Sequence, residues 1–333
     1  MNNRTLSLMM GAAGASAPAY VEDVFSTWLY TGTGVAQTIT NGIDLSGKGG
    51  MVWIKKRNAV ELHAVFDTAR GAPSLLSTNS TNGASTSYPQ SLTGFTSSGF
   101  QLGTDSNYYV NNGTSDTFTS WTFRKAPGFF DVVAYAGTGA NPQVISHNLG
   151  VAPELIIIKN RSTTANWAVG SVYLPNAWNN PLSQILYLNL TNAAVQEGYI
   201  HSVNSSTFTQ VGVTVVGANG NNYIAYLFAS LTGVSKVGSY TGTGTTLSID
   251  CGFTAGARFV LIKRTDSTGD WYVWDTARGI IAANDPYLLL NSTAAEVTNT
   301  DYIDPLNSGF QISSTAPAAI NANGGSYIYL SVA

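Results

Sequence analysis

One phrase, Tyr-x-Gly-Thr-Gly, constrains this chain more than any other feature, because it returns twice at a fixed distance. Tyr30-Thr31-Gly32-Thr33-Gly34 recurs as Tyr135-Ala136-Gly137-Thr138-Gly139 and as Tyr240-Thr241-Gly242-Thr243-Gly244, and both steps are 105 residues. A period of that length is a whole small domain, not a solenoid turn or a heptad. The 333 residues therefore read as an N-terminal arm, 1–23, followed by three tandem copies at 24–128, 129–233 and 234–333. Repetition also sorts the residues: what recurs in every copy belongs to the scaffold, and what occurs once is a candidate for function.

The copies stay matched beyond the tyrosine. Trp53-Ile54-Lys55 answers to Ile157-Ile158-Lys159 and Leu261-Ile262-Lys263. Val65-Phe66-Asp67-Thr68-Ala69-Arg70-Gly71 returns as Val273-Trp274-Asp275-Thr276-Ala277-Arg278-Gly279, whereas the middle copy has Val169-Gly170-Ser171-Val172-Tyr173-Leu174-Pro175 there. Short runs of Val, Ile, Thr, Tyr and Phe are punctuated by Gly, Asn, Ser and Pro, and no stretch sustains a helical period. The expected fold is all-β: three tandem two-sheet β-sandwiches of jelly-roll type, since an open sheet of that size would leave one face wet.

Charged residues make up 10% of the chain, against the ~25% usual in soluble domains. Thr, Ser, Asn and Gly carry solubility instead, which suits a permanent assembly or a surface that hydrogen-bonds to uncharged partners such as glycans. Fifteen basic against eighteen acidic residues, with no basic stripe, argue against nucleic acid. Cys251 is the single cysteine, so no internal disulfide forms; read opposite Leu149, it is expected to act as a small buried hydrophobe. The arm has a brief apolar stretch, with Leu6, Leu8, Met9 and Met10, broken by Gly11 and Gly14. It is too short to span a bilayer. Ala15-Ser16-Ala17 resembles a signal-peptidase site, but an anchoring arm docked on a partner is the preferred reading.

Catalytic chemistry is not expected. His63, His147 and His201 share no motif, His147 reads opposite Ile249, and no zinc, Walker, Rossmann or GxSxG pattern is present, so neither metal nor cofactor is expected. The Asp67–Arg70 and Asp275–Arg278 pairs offer one carboxylate each, beside an arginine, where glycosidases need two acids. A turn closed by a local ion pair is the favoured reading. Trp28, Trp53, Trp121, Trp167, Trp271 and Trp274 are expected in cores. Trp178 differs, because it lies in a loop with Asn176 and Asn179, a composition able to stack on a sugar and bind its hydroxyls. Its rival reading is a tryptophan folded back over its domain edge or buried at a subunit contact. Tyr287, in the corresponding loop of copy three, is a further candidate ligand contact.

The junction Phe123-Arg124-Lys125-Ala126-Pro127-Gly128-Phe129-Phe130-Asp131, with Ile145-Ser146-His147-Asn148-Leu149-Gly150 and the Ile-Ile-Lys-Asn-Arg strand, resembles repeat domains of tailed-bacteriophage virion and tail fibre proteins. The Asp-Thr-Ala-Arg-Gly phrase and the Tyr223-Ile224-Ala225-Tyr226 ending are similar to the same family. The resemblance implies a lectin-like structural protein located in the phage particle. It implies an arm held by portal, tail or capsid proteins, distal domains meeting a bacterial surface glycan, and a homo-oligomer, trimeric by analogy. It carries no catalytic residues. The alternative expectation is a purely architectural capsid-decorating or head–tail joining protein. Copy one departs at Asn41-Gly42-Ile43-Asp44-Leu45, which predicts a rebuilt connection there.

Overall fold

The computed structural model describes residues 20–105, 110–111, 113–178, 183–212 and 214–333. Nearly all regular structure is β. Copy one contains α1 (Val21–Val24), β1 (Phe25–Thr31), β2 (Gln37–Thr40), α2 (Leu45–Lys48) and β3 (Gly50–Lys56). It continues through β4 (Ala64–Asp67), β5 (Leu92–Thr96), β6 (Gly99–Leu102) and β7 (Thr117–Arg124). Copy two has β8 (Phe130–Ala136), β9 (Gln143–Ser146), β10 (Leu155–Asn160), β11 (Ala168–Ser171) and β12 (Gln184–Tyr187). Next come β13 (Val195–Gln196), β14 (Ile200–Val203), β15 (Thr207–Gln210) and β16 (Asn222–Phe228). Copy three has β17 (Ser235–Thr241), β18 (Leu247–Asp250), β19 (Phe259–Arg264), β20 (Trp271–Asp275) and β21 (Leu288–Leu289). It ends with β22 (Ile303–Leu306), β23 (Gly309–Ile312), α3 (Ala318–Asn321) and β24 (Ser326–Val332).

Each copy is a sandwich of a large and a small antiparallel sheet. The large sheets run β1-β7-β3-β4, β13-β12-β11-β10-β16-β8 and β17-β24-β19-β20-β21; the small ones run β2-β6-β5, β14-β15-β9 and β18-β23-β22. Strand period explains the layering, because alternate side chains leave opposite faces. Val52 and Ile54 of β3 face the core inside copy one, and Ile156 and Ile158, or Val260 and Ile262, do the same in the other copies. The intervening Met51 and Trp53, Leu155 and Ile157, and Phe259 and Leu261 all enter a fourth core. That core lies between the three large sheets. The copies are thus not strung like beads; they pack around one shared apolar interior, as each large sheet is apolar on both faces.

The connections leave no room for beads either. Ala126 N–H donates to Phe130 O at 3.0 Å and Leu231 N–H to Ser235 O at 3.1 Å, so each inter-copy link is a single tight turn. Val21 imitates these turns, accepting from Phe25 N–H through α1. β1, β8 and β17 all start at this end of the prism, where Phe25 lies 5.5 Å from Phe259 and Phe123 5.5 Å from Phe228. The Gly-Thr-Gly loops lie at the far end. There the Tyr30, Tyr135 and Tyr240 hydroxyls donate to Val110 O, Val216 O and Ile320 O at 2.7, 2.8 and 2.7 Å. Gly34, Gly139 and Gly244 share a left-handed φ of 70, 71 and 68°, a conformation that explains the last glycine of the phrase. The repeated phrase is a scaffold turn.

Two expectations need correction. Ile145 and Ile249 occupy equivalent positions, opposite Phe208 and Phe310, so Cys251 stands where copy two has His147, and the residue opposite Leu149 is Phe253. Cys251 is buried, and burial pushes its thiol up to about 11. Trp28, expected in a core, is 41% exposed because β1 is an edge strand. The rebuilt connection expected in copy one is present: it is α2, capped by Asp44, whose carboxylate accepts from Gly47 N–H at 2.8 Å.

Candidate functional site

The three seams between copies repeat one another. Lys55 Nζ donates to Thr293 O at 3.2 Å, Lys159 Nζ to Thr81 O at 2.8 Å and Lys263 Nζ to Thr191 O at 3.0 Å. Copy one thus holds copy three, copy two holds copy one, and copy three holds copy two. This is a head-to-tail ring closed inside one chain. All three lysines are fully buried, each with a second carbonyl at Lys56, Ala165 or Gly269, and burial pushes each ammonium down to about 8. Reciprocal main-chain bonds, from Glu296 to Arg57, Ala84 to Arg161 and Ala194 to Thr265, are all 2.8 Å.

His63 belongs to the same seam. It occupies the place of Trp167 and Trp271, and its Nε2 meets Leu289 O at 3.0 Å as their indoles meet Ser77 O and Tyr187 O. Trp53 Nε1 donates to His63 Nδ1 at 2.9 Å, so the ring is neutral with its hydrogen on Nε2. Complete burial holds its pKa down at about 3. It is a joint, not a base.

The Asp-Thr-Ala-Arg-Gly phrase is a local ion pair that also reaches across a seam. Arg70 Nε donates to Asp67 Oδ2 at 2.5 Å and Arg278 Nε to Asp275 Oδ2 at 2.6 Å, with both pairs fully buried. Asp67 then accepts from Tyr226 OH at 2.8 Å, and Asp275 from Trp121 Nε1 at 2.9 Å. Strand register makes Trp121, Tyr226 and Leu330 equivalent. The middle copy has Ser171 and Leu174 in place of the acid and the arginine, and the third seam joins Leu174 and Leu330 to the shared core instead. The motif is lost from copy two together with its partner in copy three.

Trp178 is folded back on its own domain. Its ring lies over Gly170, where an added Cβ would meet Cζ3 at 3.0 Å, and it packs against the core of copy two. Trp178 and Asn176 both adopt left-handed backbone, at φ 37 and 53°, and the buried indole N–H finds no partner among the described residues. Asn176 is exposed, and Asn179 and the anchor candidates Leu6, Leu8, Met9 and Met10 lie outside the described residues. Tyr287 is half-buried in an aromatic group with Tyr272 and Tyr302, at 5.1 and 5.6 Å. The structure therefore does not bring Trp178 and Tyr287 into one site.

Two surface pockets stand out. One, of about 290 Å³, lies beside the start of β1 at the closing seam, where Arg258 meets Glu22 and Thr27, Asn41 and Thr276 line the wall. The other, of about 160 Å³, is confined to copy one toward the far end, and Leu62, Leu75, Ser77, Asn82 and Tyr88 line it. Sequence reasoning missed both: the first joins residues far apart in the chain, and the second is lined by residues that carry no motif. Asp285 was also missed; it is buried, accepts from Tyr302 and Ile303 N–H at 2.8 and 3.1 Å, and burial pushes it up to about 7. Among the described residues no three His, Cys, Asp or Glu side chains gather as a metal site.

No curated protein matches the chain. Over residues 21–333, a stretch that takes in all three copies, the chain belongs to the family described as a domain of unknown function, DUF7483.

Proposed function

We propose that this chain is a structural component of a tailed-phage virion, a fibre or tail protein fastened by its N-terminal segment and meeting the host surface with its opposite end. The observation that carries the reading is the polarity of the prism. Tyr20, where the described chain begins, lies with the inter-copy turns at one end, and the Gly-Thr-Gly loops lie at the other. A segment fastened to portal, tail or capsid proteins at the first end leaves the second end free. The sequence resemblance to phage repeat domains and the low charge agree with this role. The Asp67 and Asp275 carboxylates, buried and committed to arginine, do no acid catalysis in this reading.

Antibody against residues 234–333 should label purified particles at the tail, and deletion of residues 1–19 should leave the folded protein off the particle. Label on the capsid shell would favour the decorating or head–tail joining role, which the rigid, sparsely charged ring also suits. Absence of the chain from particles would remove the virion reading.

A further inference from the structure

The smaller pocket exists because copy one departs from the other two at two positions. Antiparallel pairs set the equivalence: Leu75 with Ser85, Ile185 with Val195, and Tyr287 with Val297. Two residues further on, Ser77 stands where copy two has Tyr187 and copy three has Leu289. Those two side chains pack against their own cores and fill the position. Ser85 likewise replaces Val195 and Val297. Two serines in place of bulky apolar residues open the cavity in copy one, while the scaffold around it is retained.

What the opening exposes is chemically uniform. Leu62 and Leu75 give an apolar floor, Tyr88 an aromatic wall, and Ser77, Ser80, Ser85 and Asn82 a rim of hydroxyls and one carboxamide. The Asn82 backbone N–H donates to Ser80 Oγ at 3.1 Å, while its side-chain carboxamide makes no hydrogen bond with the described residues. No charged side chain lines the pocket. Hydroxyls and amides both donate and accept, as sugar hydroxyls do, and the C–H face of a pyranose suits an aromatic and aliphatic floor. An ionic ligand would find no counter-charge there and would lose hydration without compensation. A volume of about 160 Å³ is below the range of drug-sized sites and admits a single sugar ring.

We infer that the pocket of copy one binds one neutral saccharide unit of a larger glycan, with Ser77, Ser85 and Asn82 contacting its hydroxyls and Tyr88 its ring face. The assignment of that glycan to a host surface rests on the virion reading above; the binding itself does not.

The test is saturation-transfer NMR on the full chain with methyl glucoside, methyl galactoside, methyl mannoside and N-acetylglucosamine, with glucuronic and N-acetylneuraminic acids as the charged comparison. At least one neutral glycoside should show transfer. Ser77→Tyr, which restores the residue of copy two, should weaken it by at least about tenfold at an unchanged melting temperature. Should that variant fail to fold, Ser85→Val and the exposed Asn82→Ala give the same readout. No transfer to any neutral glycoside, transfer to the acids alone, or binding that survives in all folded variants overturns the assignment. A chain found in particles that binds no sugar loses this site and keeps the virion reading; a chain that binds sugar but is absent from particles does the reverse.

Discussion

The phenol of Tyr226 donates to Asp67 Oδ2 at 2.8 Å, across the boundary between copies one and two. Its counterpart is Trp121 on Asp275, across the boundary between copies one and three. The third boundary solves the same problem without polar atoms, through Leu174 and Leu330. The chain therefore holds its own control experiment, with two polar joints and one apolar joint in the same ring.

Removing one partner of a buried ion pair leaves the other charge uncompensated. Asp67→Ser should therefore destabilise by about 3–5 kcal/mol, and Tyr226→Phe by only about 1–3 kcal/mol. The triple change Asp67→Ser, Arg70→Leu, Tyr226→Leu copies the third joint and should recover most of the loss. Urea unfolding of the purified variants measures all three, and a triple variant no better than Asp67→Ser would show that the joints are not interchangeable.

His63 makes the fold sensitive to acid. Its folded pKa of about 3 lies below the ordinary 6.5, so the unfolded chain binds the extra proton first and stability is lost as pH falls through that window. Asp285 acts oppositely: raised to about 7 from 3.8, it costs stability as pH rises through its own window. A variant is thus needed to separate them. The double change Trp53→Leu, His63→Trp reproduces the Leu261 and Trp271 pairing of copy three. Its melting temperature should fall less than the wild type's between pH 6.5 and 3.

The buried lysines act at the alkaline side. With folded values near 8 against the ordinary 10.5, each ammonium is a cost at neutral pH that disappears on deprotonation. The sign follows from linkage: between those values the unfolded chain holds more protons, so stability rises with pH. Unfolding midpoints measured just below pH 8 and again near 10 should increase, and Lys159→Met should flatten that increase by roughly a third, since one of three equal groups is lost.

A head-to-tail ring that closes within one chain has no joint left over for a second chain. Sedimentation equilibrium of residues 20–333 should give the mass of a single chain. A trimer would mean that copies of the chain associate through surfaces other than these seams.

The sequence made the scaffold readable because a scaffold is what a repeat conserves. Tyr30, Tyr135 and Tyr240 marked equivalent turns, and apolar runs such as Leu155 to Ile158 marked buried strands. The common interior was hidden in those same runs. A strand apolar on both faces looks the same whether its second face meets a partner sheet within the domain or a neighbouring domain. The joints were hidden for another reason, since Asp67 and Tyr226 are 159 residues apart and only folding shows that the loss of one motif accompanies the loss of its partner. The pocket is subtler still: Ser77 and Ser85 carry no motif, and they become visible only beside Tyr187 and Val195 once register has fixed which residue answers to which.

The direction of the strands has a mechanical corollary. β1 is hydrogen-bonded to β7 over seven consecutive pairs, from Phe25 with Phe123 to Thr31 with Thr117, and both lie lengthwise between the two ends of the prism. Tension applied at Tyr20 and resisted at the opposite face would load those bonds together, in shear, instead of opening them one after another. A strand pair loaded this way yields at high force, which suits the anchoring role proposed above.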